Sequence, residues 1–154
     1  MSARIASETT HERMAEPRLD EVVAIEHAVH IHPWSRGNFA DSITAGYHCW
    51  VAHRDSALVG YGVVMIGAGE AHLLNLSVAP RWQRQGIGAE LTRFFVKLSR
   101  DYGAEKIYLE VRPSNTVARS LYLAQGFAEI GVRCDYYPAQ DGREDAVIME
   151  LRLT

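Results

Sequence analysis

One turn constrains the fold of this chain more than any other feature, because it joins an apolar run to an amphipathic segment. The apolar residues 73–78 end before Pro80, and a loop rich in arginine and glutamine follows. Gly86 and Gly88 then open a segment whose apolar residues recur at helical spacing. This order favours phosphate binding, since the first amides of a helix lack internal partners and the helix dipole is positive there. We therefore predict that the turn holds a nucleotide-type cofactor.

The spacing in Gln83-x-x-Gly86-x-Gly88 matches neither of two well-known phosphate motifs. It lacks the Gly-Lys-Ser/Thr ending of a P-loop and the third glycine of the dinucleotide fingerprint. A glycine-containing turn with solvated arginines is the alternative interpretation. The motif alone leaves both interpretations open.

The 154 residues suit a single domain, which we expect over residues 11–154 behind a flexible tail of residues 1–10. Strands are predicted over residues 11–16, 47–53, 58–66, 71–78, 106–112, 127–137 and 146–153. Helices are predicted from residue 19 to before His32, and over residues 36–44, 86–102 and 116–125, the last of them capped by Ser114 or Asn115. Gly60 and Gly62 indicate close packing or a bulge, and residues 138–145 read as a charged loop. We predict an α/β (α+β) fold, with a mixed, mostly antiparallel sheet of about seven strands and about four helices.

Bulk properties exclude several classes of function. No apolar run approaches the roughly 20 residues of a membrane span, and the N-terminus lacks a signal-type segment, so we expect a cytoplasmic protein without a membrane partner. A net charge of −3 argues against direct binding of nucleic acid. No further ligands complete a metal site with His27 and His30, and Cys49 reads as a core residue, so no metal is expected.

Two side chains are candidates for proton transfer. Glu110 lies within an apolar strand, where a carboxylate must be paired, face a cleft or have a raised pKa, and a raised pKa suits a general base. The alternatives are an ion pair with Arg112 or Arg119, or a solvent-facing position. Tyr122 lies in a helix and is either a packing residue or a proton donor facing a cleft. Asn115 is most simply a helix cap.

Together these residues resemble the GNAT superfamily of N-acetyltransferases, whose signature here reads Gln83-Arg-Gln-Gly-Ile-Gly88. Longer segments are similar to the bacterial ribosomal-protein-alanine N-acetyltransferases, and the resemblance spans about residues 11–153. These segments are His32-Pro-Trp-Ser35, Leu74-Asn-Leu-Ser-Val-Ala-Pro80, Tyr108-Leu-Glu-Val-Arg-Pro-Ser-Asn115, Ala118-Arg-Ser-Leu-Tyr-Leu-Ala-Gln-Gly-Phe127, Asp135-Tyr-Tyr-Pro138 and Asp141-Gly-Arg-Glu-Asp-Ala146. The N-terminal extension has no counterpart in this pattern.

The resemblance implies acetyl transfer from acetyl-CoA to the α-amine of an N-terminal alanine on a small-subunit ribosomal protein. It assigns Glu110 as proton acceptor and Tyr122 as proton donor. The residues it assigns to acetyl-CoA are Leu76, Ser77 and Val78 for the acetyl and pantetheine arm, Arg84, Gln85, Gly86, Ile87, Gly88 and Ala89 for the pyrophosphate, and Asn115. The loops that contain Trp34 and Tyr136-Tyr-Pro138 are expected to flank the acceptor.

Two alternatives stay open at this point. An acetyltransferase of the same fold could act on a lysine, another protein N-terminus or a small amine. A non-catalytic acyl-CoA-binding module is the alternative from another class, although such a module needs neither Glu110 nor Tyr122. If the chain is an acetyltransferase, we expect its reaction to need no metal and no covalent intermediate on the protein.

Overall fold

The structure, a computed structural model, describes residues 8–154. Its helices and strands are β1 (Thr10–Arg13), α1 (Leu19–Val29), α2 (Arg36–Thr44), β2 (His48–Arg54), β3 (Ala57–Gly67), β4 (Glu70–Val78), α3 (Ile87–Asp101), β5 (Lys106–Val111), α4 (Thr116–Ala124), β6 (Ala128–Ala139) and β7 (Gly142–Arg152). The strands form one sheet in the order β1-β2-β3-β4-β5-β7-β6, and only the β4–β5 pairing is parallel. The predicted mixed, mostly antiparallel sheet of seven strands with four helices is confirmed.

Helices cover both faces of the sheet, so the apolar side chains form two clusters. On one face Leu91 and Phe95 of α3 pack with Ile107 and Met149 of the sheet. The cluster on the other face joins α1 and α2 to the first strands through Leu19, Val22, Phe39, Val51 and Tyr61. None of the helices within residues 8–154 combines the length and the apolar character needed to cross a membrane.

Two glycines of β3 let α3 lie close against the sheet. A Cβ atom at Gly60 would lie 2.8 Å from Cδ1 of Leu91, and a Cβ atom at Gly62 would overlap the ring of Phe95. Because packed cores do not yield easily, both positions need a residue without a side chain. The close packing predicted at these glycines is confirmed.

A bulge in β4 separates it from β5 and so opens the centre of the sheet. Val63 of β3 pairs with Asn75 and Val64 pairs with Leu73, which leaves Leu74 as the extra residue. β4 and β5 pair only from Glu70 to His72, and beyond His72 the two strands diverge. A bulge bends its strand and increases the local twist, and here it leaves a gap between two central strands.

The C-terminal hairpin differs from the prediction. The charged loop predicted over residues 138–145 is wrong, because β6 continues to Ala139 and β7 begins at Gly142. These residues belong to the outermost hairpin of the sheet, whose side chains are mostly exposed and need not be apolar. Their polarity therefore did not indicate a loop.

The N-terminal strand begins at Thr10, and residues 1–7 of the predicted tail lie outside the described residues. Arg54 bridges Thr9 and Glu90: its Nε donates to the Thr9 hydroxyl (2.8 Å) and its Nη2 to Oε1 of Glu90 (2.7 Å). These contacts join the start of the described chain to α3 and β2.

Candidate active site

A cleft of about 1030 Å³ lies where β4 and β5 diverge. The lining contains four of the predicted site residues: Leu76, Glu110, Asn115 and Tyr122. It does not contain the others: Ser77, Val78 and residues 84–89. Both segments expected to flank an acceptor contribute to the same lining: the loop with Trp34, and Tyr137 and Pro138, which lie in β6 and not in a loop.

The edge of β4 that faces β5 is open beyond His72. On its other side β4 stays paired with β3 as far as Val78. The backbone of Leu76, Ser77 and Val78 therefore lies on a strand with a partner on one side only. Unpaired strand edges present N–H and C=O groups to an extended ligand, so this edge can bind the amides of an extended chain such as a pantetheine arm.

The glycine turn has the geometry of an anion site. Gly86 is the N-cap of α3 with a φ of 82°, and Arg84 also has a positive φ, of 63°. Within residues 8–154, the amides from Arg84 to Ala89 donate to no protein acceptor, and the first helical bond runs from Glu90 to Gly86. Consecutive free amides at a helix N-terminus, together with the helix dipole, suit a phosphate or pyrophosphate. The turn follows β4 closely in the chain, and a Cβ atom at Gly88 would lie 3.8 Å from Cγ2 of Val78, the last residue of β4.

Glu110 lines the cleft, and its side chain is 5% exposed. Its Oε2 is 2.5 Å from Nε2 of His72, and its Oε1 is 3.5 Å from Nε of Arg133. The ion pairs considered from the sequence are wrong, because Arg112 pairs with Glu144 and Arg119 pairs with Glu129.

Residue spacing along one chain could not identify the real partners of Glu110. His72 faces Glu110 because β4 and β5 are parallel neighbours in a register that pairs His72 with Tyr108. Arg133 belongs to β6, and β7 lies between β6 and β5 in the sheet. Both contacts depend on the order of the strands in the sheet.

Tyr122 lies in α4 with 7% of its surface exposed and its ring packed against Phe127, 5.5 Å between centroids. Among the described residues its hydroxyl has no hydrogen-bond partner, although the residue lines the cleft. Burial raises the pKa of this phenol well above its ordinary value. Tyr122 therefore keeps its proton near neutral pH and can donate it to a group in the cleft.

Asn115 is the N-cap of α4, as predicted. Its Oδ1 accepts a 3.2 Å hydrogen bond from the Ala118 amide.

Cys49 is also a core residue, as predicted, and burial raises the pKa of its thiol to about 11. Within residues 8–154 no group of three or more His, Cys, Asp or Glu side chains is arranged to hold a metal ion.

A buried carboxylate that was not predicted lies beside the cleft. Glu26 of α1 is 2% exposed and accepts hydrogen bonds from the Tyr61 hydroxyl (2.6 Å), Asn75 Nδ2 (3.0 Å) and the Trp34 amide (3.0 Å). These bonds hold the segment after α1 against the bulged part of β4. The sequence did indicate that Glu26 is buried. Glu26 lies seven residues after Leu19, which places it on the apolar stripe of α1.

A second wall of the cleft is shaped by a bulge in β6 at residues 134–136, where Asp135 has a φ of 54°. Arg143 donates to the carbonyl oxygens of Asp135 (2.7 Å) and Tyr136 (3.0 Å), and Asp145 accepts from the Asp135 amide (2.9 Å). The guanidinium of Arg112 lies 4.4 Å from the ring centroid of Tyr137. The segment Asp141-Gly-Arg-Glu-Asp-Ala146 therefore shapes the bulged part of β6 that contains the two tyrosines.

Comparison with known proteins agrees with this fold. The sequence profile described as the Acetyltransferase (GNAT) family matches residues 14–127. The [ribosomal protein bS18]-alanine N-acetyltransferase of Escherichia coli (strain K12) is 36% identical over 130 residues, which are 84% of this chain and 88% of that protein. The crystal structure of the Escherichia coli ribosomal-protein-S18-alanine N-acetyltransferase superposes with a TM-score of 0.88 at 33% identity, covering 96% of this chain and 95% of the other. A Salmonella typhimurium structure solved with acetyl-CoA shares the fold alone, at 17% identity and a TM-score of 0.79, covering 96% of this chain and 95% of the other.

Proposed function

The chain belongs to the acetyltransferase (GNAT) family, and from that premise we propose that it acetylates the α-amine of an N-terminal alanine on a small-subunit ribosomal protein. The two Escherichia coli matches named above support this acceptor, since their names describe acetylation of an alanine on a ribosomal protein. The observation that carries the proposal is that one cleft is lined by a buried carboxylate, Glu110, and a buried neutral phenol, Tyr122. We place the reaction in the cytoplasm, with a ribosomal protein as the partner and no direct contact to nucleic acid or membrane.

Acetyl-CoA is the proposed co-substrate, and the residues present fit it. The free amides from Arg84 to Ala89 suit the pyrophosphate, and the open edge at Leu76, Ser77 and Val78 suits the acetyl and pantetheine arm. Asn115, which caps α4 and lines the cleft, is proposed to contact CoA as well. Bound there, acetyl-CoA supplies a thioester carbonyl for attack. A backbone N–H near Leu76 would stabilise negative charge on the carbonyl oxygen.

Glu110 and Tyr122 divide the proton transfers between them. An α-amine has a pKa of about 7.7–8.0, so a sizeable fraction is already neutral near pH 7. As the amine nitrogen bonds to the acetyl carbon, Glu110 takes the nitrogen's proton, directly or through water. As the carbon–sulfur bond breaks, the Tyr122 hydroxyl gives its proton to the sulfur. The products are the acetylated N-terminus and CoA, and no covalent intermediate forms on the protein. Exchange with water then returns a proton to Tyr122 and removes one from Glu110.

A peptide panel tests the choice of acceptor. Purified protein is incubated with acetyl-CoA and peptides that begin with alanine, with other residues or with a blocked N-terminus, and each peptide carries one internal lysine. Intact-mass analysis should show one acetyl group on the alanine peptide and none on the blocked peptide. Acetylation of the blocked peptide would indicate a lysine acetyltransferase. Equal rates for every first residue would defeat the alanine assignment, and acetyl-CoA binding without transfer to any amine would indicate a binding module.

A further inference from the structure

His72 makes a contact that the chemistry above does not use. It is the last residue of β4 that pairs with β5, so it lies where the two strands begin to diverge. Its Nε2 is 2.5 Å from Oε2 of Glu110, and the two side chains are only 14% and 5% exposed. The imidazole is also stacked on Tyr108, with 4.3 Å between ring centroids and an interplanar angle of 18°. Two separate contacts therefore fix the orientation of this ring.

The proposed role of Glu110 determines which imidazole nitrogen carries a proton. A proton acceptor starts as a carboxylate, which can only accept a hydrogen bond, so the proposal makes Nε2 of His72 the donor to Oε2. Donation to Oε2 occupies that oxygen and restrains rotation of the carboxylate. A charge-assisted bond of this kind is shorter and stronger than a bond between neutral groups.

The other oxygen of Glu110 remains available. Oε1 is buried and, within residues 8–154, takes part in no hydrogen bond; Nε of the half-exposed Arg133 lies 3.5 Å away. Besides His72 and Arg133, the titratable groups facing the carboxylate are the phenols Tyr108, Tyr136 and Tyr137. A buried acceptor without a donor is unusual in a folded protein. Its position in the cleft wall fits an acceptor for the proton of an incoming amine.

We propose that His72 is a positioning residue for Glu110: by donating from Nε2 to Oε2 it aims Oε1 at the amine. This inference rests on the proposed role of Glu110 as proton acceptor. Correct placement matters because a misplacement of about 1 Å can lower a rate roughly a hundredfold. His72 is not among the residues that line the cleft, so the proposal gives it no contact with the amine or acetyl-CoA.

Two substitutions separate positioning from packing. His72→Gln keeps an N–H that can donate to Glu110, whereas His72→Phe keeps a flat ring on Tyr108 but has no donor. We expect His72→Gln to retain kcat within a few-fold, and His72→Phe to lose kcat by about tenfold to a hundredfold. KM for acetyl-CoA should be unchanged in both variants. A packing role would give the reverse order, with His72→Phe the more active variant, and would overturn the proposal.

The matched controls are His27→Gln and His27→Phe, which change an exposed histidine of α1 and should leave kcat unchanged. Rates are measured with whichever amine the wild-type protein acetylates, so the His72 test holds even if that amine is not an N-terminal alanine. If the wild-type protein acetylates no amine, the proposed function fails.

NMR of ¹⁵N-histidine-labelled protein then tests His72 independently of turnover. An Nε2–H signal for His72 supports the proposal, and an Nδ1–H tautomer with bare Nε2 overturns it.

Discussion

The hydroxyl of Tyr61 donates a 2.6 Å hydrogen bond to the carboxylate of Glu26, and both side chains are almost completely buried. Tyr61 comes from the centre of the sheet and Glu26 from α1, so the bond joins two layers of the fold. Burial, followed by the charge of Glu26, raises the pKa of the tyrosine far above its ordinary value. The hydroxyl therefore keeps its proton near neutral pH and stays a donor to Glu26.

Tyr61→Phe should lower the free energy of unfolding by about 1–3 kcal/mol, because a buried carboxylate loses one of its donors. Urea unfolding monitored by circular dichroism measures the change. Tyr102→Phe is the control, since that ring is 53% exposed and should tolerate the loss of its hydroxyl. Equal stability of Tyr61→Phe and wild type would show that the bond contributes little.

Gly86→Ala should weaken acetyl-CoA binding by roughly tenfold, because a side chain at the N-cap of α3 crowds the proposed pyrophosphate site. Gly103→Ala is a matched control at the other end of the same helix, with a φ of 87° against 82° at Gly86. Both substitutions carry a similar backbone strain of about 1–2 kcal/mol. Calorimetric titration with acetyl-CoA compares them, and equal Kd values would place the pyrophosphate elsewhere.

Glu110→Gln should reduce kcat by about 10²–10⁴-fold and leave the Kd for acetyl-CoA unchanged, because glutamine keeps the shape of the side chain but cannot take the amine's proton. Steady-state kinetics and calorimetric titration give the two quantities. Turnover close to wild type would remove Glu110 from the role of proton acceptor.

Tyr122→Phe should lower kcat by about 10²-fold while the free energy of unfolding stays the same or rises slightly. The expectation for stability follows from the absence of a hydrogen-bond partner for this hydroxyl within the described residues. Kinetics and urea unfolding are measured on the same preparation. Weaker CoA binding at normal kcat would instead indicate that Tyr122 is a packing residue.

Stability should fall as the pH drops below about 6.5, because burial lowers the pKa values of His11 and His48 from that ordinary value. For His11 the charge of Glu90 opposes this shift, and for His48 the charge of Arg13 adds to it. Protons then bind the unfolded chain more readily than the folded one. The stability that the two neutral histidines contribute is therefore complete above about pH 6.5 and is lost as the pH falls below that value. Urea unfolding between about pH 7.5 and about pH 5 tests this, and a variant with both histidines changed to phenylalanine should show a flatter pH dependence.

The sequence predicted the helices, the strands and the mixed sheet because periodicity and turn residues act locally. Ser35 caps α2 as predicted, with a 3.1 Å hydrogen bond from the Asn38 amide. Gly60 and Gly62 likewise mark the place where α3 approaches β3. These signals lie within a few residues of the structure that they determine.

The partners of buried polar groups were not predictable in the same way. Glu26 contacts Tyr61 and Asn75, 35 and 49 residues away, and Glu110 contacts His72, 38 residues away. Periodicity shows which face of an element is buried but not which residue of another element meets it. The strand order and the bulge at Leu74 determine which residues of different elements come into contact.

The bulge in β6 also has a consequence for association between molecules. β6 is an outer strand of the sheet, and a long outer strand offers N–H and C=O groups with which a strand of another molecule could pair. The left-handed backbone at Asp135 bends this edge, and Pro138 contributes no N–H group to it. The same irregularity that shapes one wall of the cleft therefore protects the sheet from edge-to-edge aggregation.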